Sequence, residues 1–311
     1  MNETLRNHGL AAVLLAALAS AGLPAAEPAD TATTADDDTA AYEAGIRDWR
    51  QRRHERLASD NGWLTLVGLD WLDTGDNRVG SGADNDVVLA GGPAQWGTVV
   101  VLGDEIRFQP AAEPGVTVNG LPAAETALVA DNQEGEPTVV ASGNLSFHVI
   151  NRGSYALRVK DRQAPTLVNF TGIDTYPIDA SWRYEARFLA AEPGRTIEIA
   201  DVLGQVNPMP VLGTVEFERD GRTYSLLGLA EEGSDGLWFL FADRTNGRET
   251  YGAGRFLYSD GLPENGRVVV DFNKAYNPPC AFTEFSTCPL PPQQNRLDLA
   301  VTAGEKDFHH D

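Results

Sequence analysis

The chain has 311 residues, 42% of them hydrophobic, and carries 24 basic against 45 acidic side chains for a net charge of −21. That apolar share supports a packed core, and the length allows one large unit or two closely joined ones. Such acidity repels phosphate backbones, and no Lys/Arg cluster beyond Arg50–Arg53 offsets it, so nucleic acid and anionic membrane surfaces are excluded as partners.

At the N-terminus, Arg6 and His8 precede the apolar run Leu10–Leu18 and the small residues Ala19, Ser20, Ala21, Ala25 and Ala26. The pattern predicts a secretory signal peptide over residues 1–26, hence a periplasmic or secreted protein. The run is shorter than the about 20 residues a membrane-spanning helix needs, and no later segment approaches that length. Residues 27–41 are Ala, Thr, Asp, Glu and Pro with Asp36, Asp37 and Asp38 in a row, which predicts an acidic disordered linker. Tyr42, Ile46, Trp49 and Leu57 then recur at helical spacing, with Arg50, Arg52, Arg53 and Glu55 on other faces. This predicts one amphipathic helix ending near Asp60-Asn61-Gly62, its basic patch read as a solvated face.

After Gly62 the chain becomes short runs of Val, Ile, Phe, Tyr and Trp separated by Gly, Asp, Asn and Pro. Strands are predicted at Thr98–Leu102, Glu105–Gln109, Ser146–Ile150, Tyr155–Lys160, Tyr184–Leu189 and Thr196–Ala200. Five more follow at Thr214–Glu218, Thr223–Leu227, Leu237–Phe241, Arg255–Tyr258 and Arg267–Phe272. Gly103-Asp104 and Asp220-Gly221 sit between paired runs as hairpin turns. Strands recurring without intervening helices predict a mostly-β sandwich or barrel over residues 42–306, preceded by the one helix. The unit is single or two closely packed β subunits, about 60–145 and 146–306, followed by a tail at 307–311. The tryptophans Trp63, Trp71, Trp182 and Trp238 read as core rather than as a stacking platform, whereas Trp96, between Gln95 and Gly97, is a candidate for exposure.

Arg78 to Leu89, followed by Val116-Thr117-Val118-Asn119-Gly120, is similar to the strand-turn-strand frame of forkhead-associated β-sandwiches. Ser81 stands where that family's phosphate-binding arginine would be and no Ser-x-x-His follows, so the resemblance implies the scaffold without phosphopeptide binding.

Catalytic motifs are sparse. No Gly-x-Ser-x-Gly occurs, and the five histidines, His8, His54, His148, His309 and His310, form no zinc-ligand spacing, so no metal is expected. Gly252-Ala253-Gly254 lacks the context of a dinucleotide fold, and no cofactor is expected. The informative stretch is Asp271 to Leu297, where five prolines predict a stiff irregular loop able to hold polar groups such as Asn273, Tyr276, Asn277, Asn295 and Arg296. Both cysteines, Cys280 and Cys288, lie in it, and an even count in an exported protein suggests a disulfide contributing roughly 2–3 kcal/mol; a functional thiol is the alternative.

Ala275-Tyr276-Asn277-Pro278-Pro279-Cys280-Ala281-Phe282, Thr287-Cys288-Pro289-Leu290-Pro291-Pro292, Asn295-Arg296-Leu297 and Ala303-Gly304-Glu305-Lys306 resemble the bacterial domain-of-unknown-function family 1684. Gly62-Trp63-Leu64, Trp182-Arg183-Tyr184 and Tyr251 to Leu257 extend the resemblance from about Tyr42 to Lys306. It implies no activity that transfers residue by residue, and it keeps a pocket role for Cys280 or Cys288 open. Two functional readings follow. In the first, the protein binds a small polar or anionic ligand through Tyr251, Arg255, Asn273, Tyr276, Asn277 and Arg296, although Arg255 and Arg296 also suit plain pairing with Asp243 or Asp271. In the second, it is a hydrolase using Asp271 or Asp243 as base, or Cys280 as nucleophile.

Overall fold

The computed structural model describes residues 31–308 apart from 113–114; the expected signal segment 1–26, His309 and His310 lie outside the described residues. Helix α1 (Thr31–Leu57) starts well before Tyr42 and takes in most of the stretch read as a linker. Ala40 and Ala41, just before Tyr42, are strong helix formers and let it run on N-terminally. Its inward residues Ile46 and Leu57 are buried. Gly62 follows, where a Cβ would come within 2.5 Å of the Leu57 carbonyl oxygen, so the chain's close return under the helix end requires glycine. Among the described residues no helix is long and apolar enough to cross a membrane.

The first β unit comprises β1 (Leu66–Trp71), β2 (Gly75–Gly80), β3 (Val87–Val88), β4 (Gly97–Leu102), β5 (Glu105–Pro110) and β6 (Thr117–Val118). It continues with β7 (Leu121–Pro122), β8 (Thr126–Ala127), β9 (Val140–Ser142), β10 (Leu145–Asn151) and β11 (Tyr155–Asp161). These form two sheets, ordered β1-β11-β10-β9-β6-β7 and β3-β2-β4-β5-β8. Both contribute to one core that includes Val99, Phe108, Phe147, Val149 and Leu157. Alternation explains the facing: Ile106 and Phe108 of β5 point inward while Glu105, Arg107 and Gln109 are exposed. Trp96, expected as exposed, is fully buried in this core, and Trp71 at 42% is the exposed tryptophan. Since β10 and β11 supply central strands of the first sheet, the first unit runs through Asp161 and not to 145.

After a short helix α2 (Pro165–Val168), the second unit contains β12 (Arg183–Ala190), β13 (Thr196–Ala200), β14 (Val206–Arg219), β15 (Arg222–Leu229), β16 (Trp238–Phe241), β17 (Arg255–Glu264) and β18 (Arg267–Asp271). The order is β12-β18-β17-β16-β15-β14-β13, and a further β12–β14 pairing closes six of these strands into an antiparallel barrel. Asp220 and Gly221, at φ 52 and 73, make the β14–β15 turn, which suits the twist of a two-residue hairpin. Phe217, Leu226, Phe239, Phe241, Val270 and Phe272 share one core cluster; Leu227, Leu229, Trp238, Leu240 and Phe256 share another on the opposite faces of the same strands. Strand β16 is therefore buried on both sides and reads as an unbroken apolar run.

The second cluster is covered by the proline-rich loop, which carries Tyr276, Cys280 and Cys288 onto it. As expected, the loop is irregular, with only short 3-10 turns at Phe272–Lys274, Pro279–Ala281 and Gln293–Asn295. The buried Asn295 side chain docks it by accepting from the Leu227 amide at 2.7 Å and donating to the Leu227 carbonyl at 3.0 Å.

Candidate functional site

A cavity of about 570 Å³ opens where the β10–β11 end of the sandwich, helix α1, the barrel's outer face and the proline-rich loop meet. Helix α1 sends Trp49, Arg53 and Arg56 into it, residues spaced to share one helix face. The sandwich contributes Arg152 and Arg158, the barrel Glu231, Trp238, Phe256 and Tyr258, and the loop Tyr276, Pro279 and the stretch 286–289; Trp63 completes the wall. In a chain of net charge −21, four arginines thus face one small volume.

Two of them are neutralised. Arg53 donates to Glu305 at 3.1 Å and to the Asn277 carbonyl at 2.9 Å while lying over the Tyr276 ring at 4.8 Å. Arg152 grips both oxygens of Asp131 at 3.0 and 2.7 Å. Arg158 differs: it is 6% exposed, and its Nε is buried without a hydrogen-bond partner. Its guanidinium rests over the Trp63 ring at 5.3 Å, and no carboxylate among the described residues pairs with it. Burial, followed by the nearby Arg152 charge, pushes its pKa down to about 10. The group stays charged at neutral pH, held at a desolvation cost that an incoming anion would offset.

The opposite wall is aromatic. Tyr258 stacks on Tyr276 at 6.1 Å and on Trp238 at 6.4 Å, nearly parallel to both, and donates its hydroxyl to Glu231. Burial raises both tyrosines, Tyr276 to about 12, so they act as neutral donors and not as bases.

Cys280 and Cys288 are both free thiols in this structure, so the disulfide expected from their even count in an exported protein is not formed here; the Cys280 amide instead donates to the Cys288 sulfur at 3.1 Å. The hydrogen bond between the two thiols favours the Cys280 thiolate and, with burial, pushes the Cys288 thiol up. Cys288 lines the cavity.

Of the residues singled out from the sequence, Tyr276 alone among the ligand candidates reaches this cavity. Arg255 is fully buried, paired with Asp243 at 2.9 Å, and donates to the carbonyls of Val301, Ala303 and Glu305. It fastens the C-terminal segment to the barrel. Asp271 and Asn273 bond each other and Tyr42. Asn277 donates to Glu305 and Lys306, and the Tyr251 hydroxyl donates to the Cys280 carbonyl at 3.0 Å. Arg296 is exposed. His148 is half-buried on β10 directly across from Arg158, and burial with the neighbouring Lys160 and Arg158 charges lowers it to about 4. Among the described residues no three His, Cys, Asp or Glu side chains are grouped to hold a metal ion.

The residues missed by sequence reasoning are chiefly arginines. Trp49, Arg53 and Arg56 were legible as one helix face, and Arg158 as a lone charge within the apolar run Ala156-Leu157-Arg158-Val159, all four of them buried.

Residues 168–306 match the family of proteins of unknown function designated DUF1684. The chain belongs to the DUF1684 family. The match spans the barrel and the proline-rich loop, so this DUF1684 protein takes Arg53, Arg56, Arg152 and Arg158 of its cleft from outside the matched residues. Among solved structures, the NMR structure of an uncharacterized protein of Haloarcula marismortui is 31% identical, over 46% of this chain and 80% of that one, with a TM-score of 0.39. No curated protein matches the chain. The forkhead-associated resemblance of the 78–120 frame is not borne out by the comparisons. The side chains concerned are engaged locally, Arg78 with Asp86 and Ser81 with the carbonyls of Gly92 and Pro93.

Proposed function

We propose that this DUF1684 member is an exported binding protein for a small anionic ligand, held in the cleft between sandwich and barrel. The observation that carries the reading is Arg158, a buried guanidinium without a carboxylate partner among the described residues that opens onto a cavity of about 570 Å³. That volume lies in the range of about 300–1,000 Å³ typical of small-molecule sites. Buried charges without partners are costly and persist where a ligand completes them. The carboxylates of the hydrolase alternative support it less: Asp243 is occupied by Arg255, Asp271 by Tyr42 and Asn273, and neither lines the cleft.

Calorimetric titration of the full chain with aryl carboxylates and their neutral amides tests the reading. The carboxylates bind and the amides do not, and Arg158→Met weakens binding about ten- to hundredfold, the worth of one charge-assisted hydrogen bond of about 1.5–3 kcal/mol. Equal binding of acid and amide, or an unaffected Arg158→Met variant, would overturn it.

Export rests on the charged, apolar and small-residue pattern of residues 1–26. In an oxidising compartment the adjacent Cys280 and Cys288 would join as a disulfide. Alkylation and intact mass on protein recovered from the periplasm then find no accessible thiol until reductant is added; two thiols without reductant would refute the bond.

A further inference from the structure

We infer that the ligand is a planar aromatic acid bearing, away from its acidic group, a hydrogen-bond donor, a hydroxyl or an amine. The inference rests on the anion-binding reading of the cleft and adds what the rest of the wall selects.

The lining of the cleft holds two polar groups of opposite sign that pair with no opposite charge among the described residues. One is Arg158, buried and with Nε unpartnered. The other is Glu231, the single carboxylate in the lining, which accepts the Tyr258 hydroxyl and pairs with no cation among the described residues. Glu231 belongs to an acidic lip with Glu232 and Asp235, in the turn between β15 and β16, that also borders a shallower depression. A ligand anionic at both ends would meet repulsion there, whereas a hydroxyl or amine converts the same carboxylate into an acceptor.

Much of the remaining wall is built of rings, among them Trp63, Trp238, Phe256, Tyr258 and Tyr276. Two guanidinium groups already lie over rings, Arg53 over both Tyr276 and Phe282 and Arg158 over Trp63, so Arg158 is the one engaged by a single ring. A guanidinium plane seated on one aromatic face offers its other face to a second ring, and a saturated ring has neither the flat face nor the quadrupole to use it. The volume of about 570 Å³ admits a fused bicyclic ring with its substituents.

Three acids of similar outline separate the two levels of inference when titrated into the full chain: a decalin carboxylate, the corresponding naphthoate, and a naphthoate with a hydroxyl on the distal ring. The naphthoate binds about fivefold tighter than the saturated acid, the margin expected of aromatic contact beyond area. The hydroxynaphthoate binds about threefold tighter again, a hydrogen bond to a partly solvated carboxylate, and in Glu231→Ala that increment disappears. Equal affinities for all three acids would overturn the aromatic class and leave the anion site standing. A hydroxyl increment that survives Glu231→Ala would overturn the donor end. No binding of any acid to protein whose circular dichroism is native would overturn both the class and the anion reading.

Discussion

The Tyr42 hydroxyl donates to the Asp271 carboxylate at 3.0 Å across 229 positions of sequence. Asn273 joins them, donating from its side chain to the Tyr42 oxygen at 2.9 Å and to Asp271 at 3.0 Å. The bond ties α1 to the start of the proline-rich loop, and α1 carries Trp49, Arg53 and Arg56 into the cleft. Tyr42→Phe removes one of Asp271's donors and leaves those from Asn273. It should cost about 1–2 kcal/mol, read as a fall of about 2–8 °C in Tm for a chain of this size, with faster amide exchange in α1. Unchanged exchange in α1 would show that the helix is held by packing alone.

Arg255 and Asp243 form a fully buried ion pair whose cation also satisfies three C-terminal carbonyls. Arg255→Met strands the Asp243 charge and should destabilise by about 3–5 kcal/mol. Adding Asp243→Asn to it should cost much less than the sum of the single changes, because the two groups act as a unit. Additive losses in denaturant unfolding would contradict the pairing.

Arg158→Met should raise stability while weakening ligand binding. Removing a buried charge that has no carboxylate partner among the described residues relieves a desolvation cost, and methionine fills a similar volume. A gain of about 1 kcal/mol in the unliganded protein is expected, reversed when saturating ligand stabilises only the unsubstituted chain. A lower Tm without ligand would mean that Arg158 is structural.

His148 titrates at about 4 in the folded chain against an ordinary 6.5, chiefly through burial. The unfolded chain therefore takes up its proton first as pH falls, and stability is lost between pH of about 6.5 and 4, by up to about 3 kcal/mol. In His148→Asn the unfolding free energy should vary less across that window; an identical pH profile would exclude His148 as the cause.

Strand existence was readable because period-two alternation records one buried and one wet face, as in β5, and the turns Gly103-Asp104 and Asp220-Gly221 fell where expected. Strand β14 was read short: it runs from Val206 to Arg219, and Pro208 and Pro210, which look like breakers, lie in its pairing with β13. The cleft was largely illegible for a different reason. A stiff loop carrying three Asn beside Asp271 and Tyr276 looks like a site, but Asn273, Asn277 and Asn295 are turned inward to satisfy buried groups that irregular chain leaves unpaired. Charge at the cleft comes instead from arginines in a helix and a β-hairpin roughly a hundred residues apart in sequence, and no local pattern states that the β10–β11 end of the sandwich and a barrel face meet there.

The docking partners of α1 also set an order of assembly. Its hydrogen bonds fall on Thr175, Tyr176, Asp271, Asn277 and Glu305, so the earliest described segment of the chain cannot complete its docking until almost all of the rest has been made. Sandwich and barrel each close on contacts nearer in sequence, which form sooner than pairings across such spans. During synthesis the helix therefore waits only partly docked, and the cleft, which needs Arg53 held by Asn277 and Glu305, is completed late.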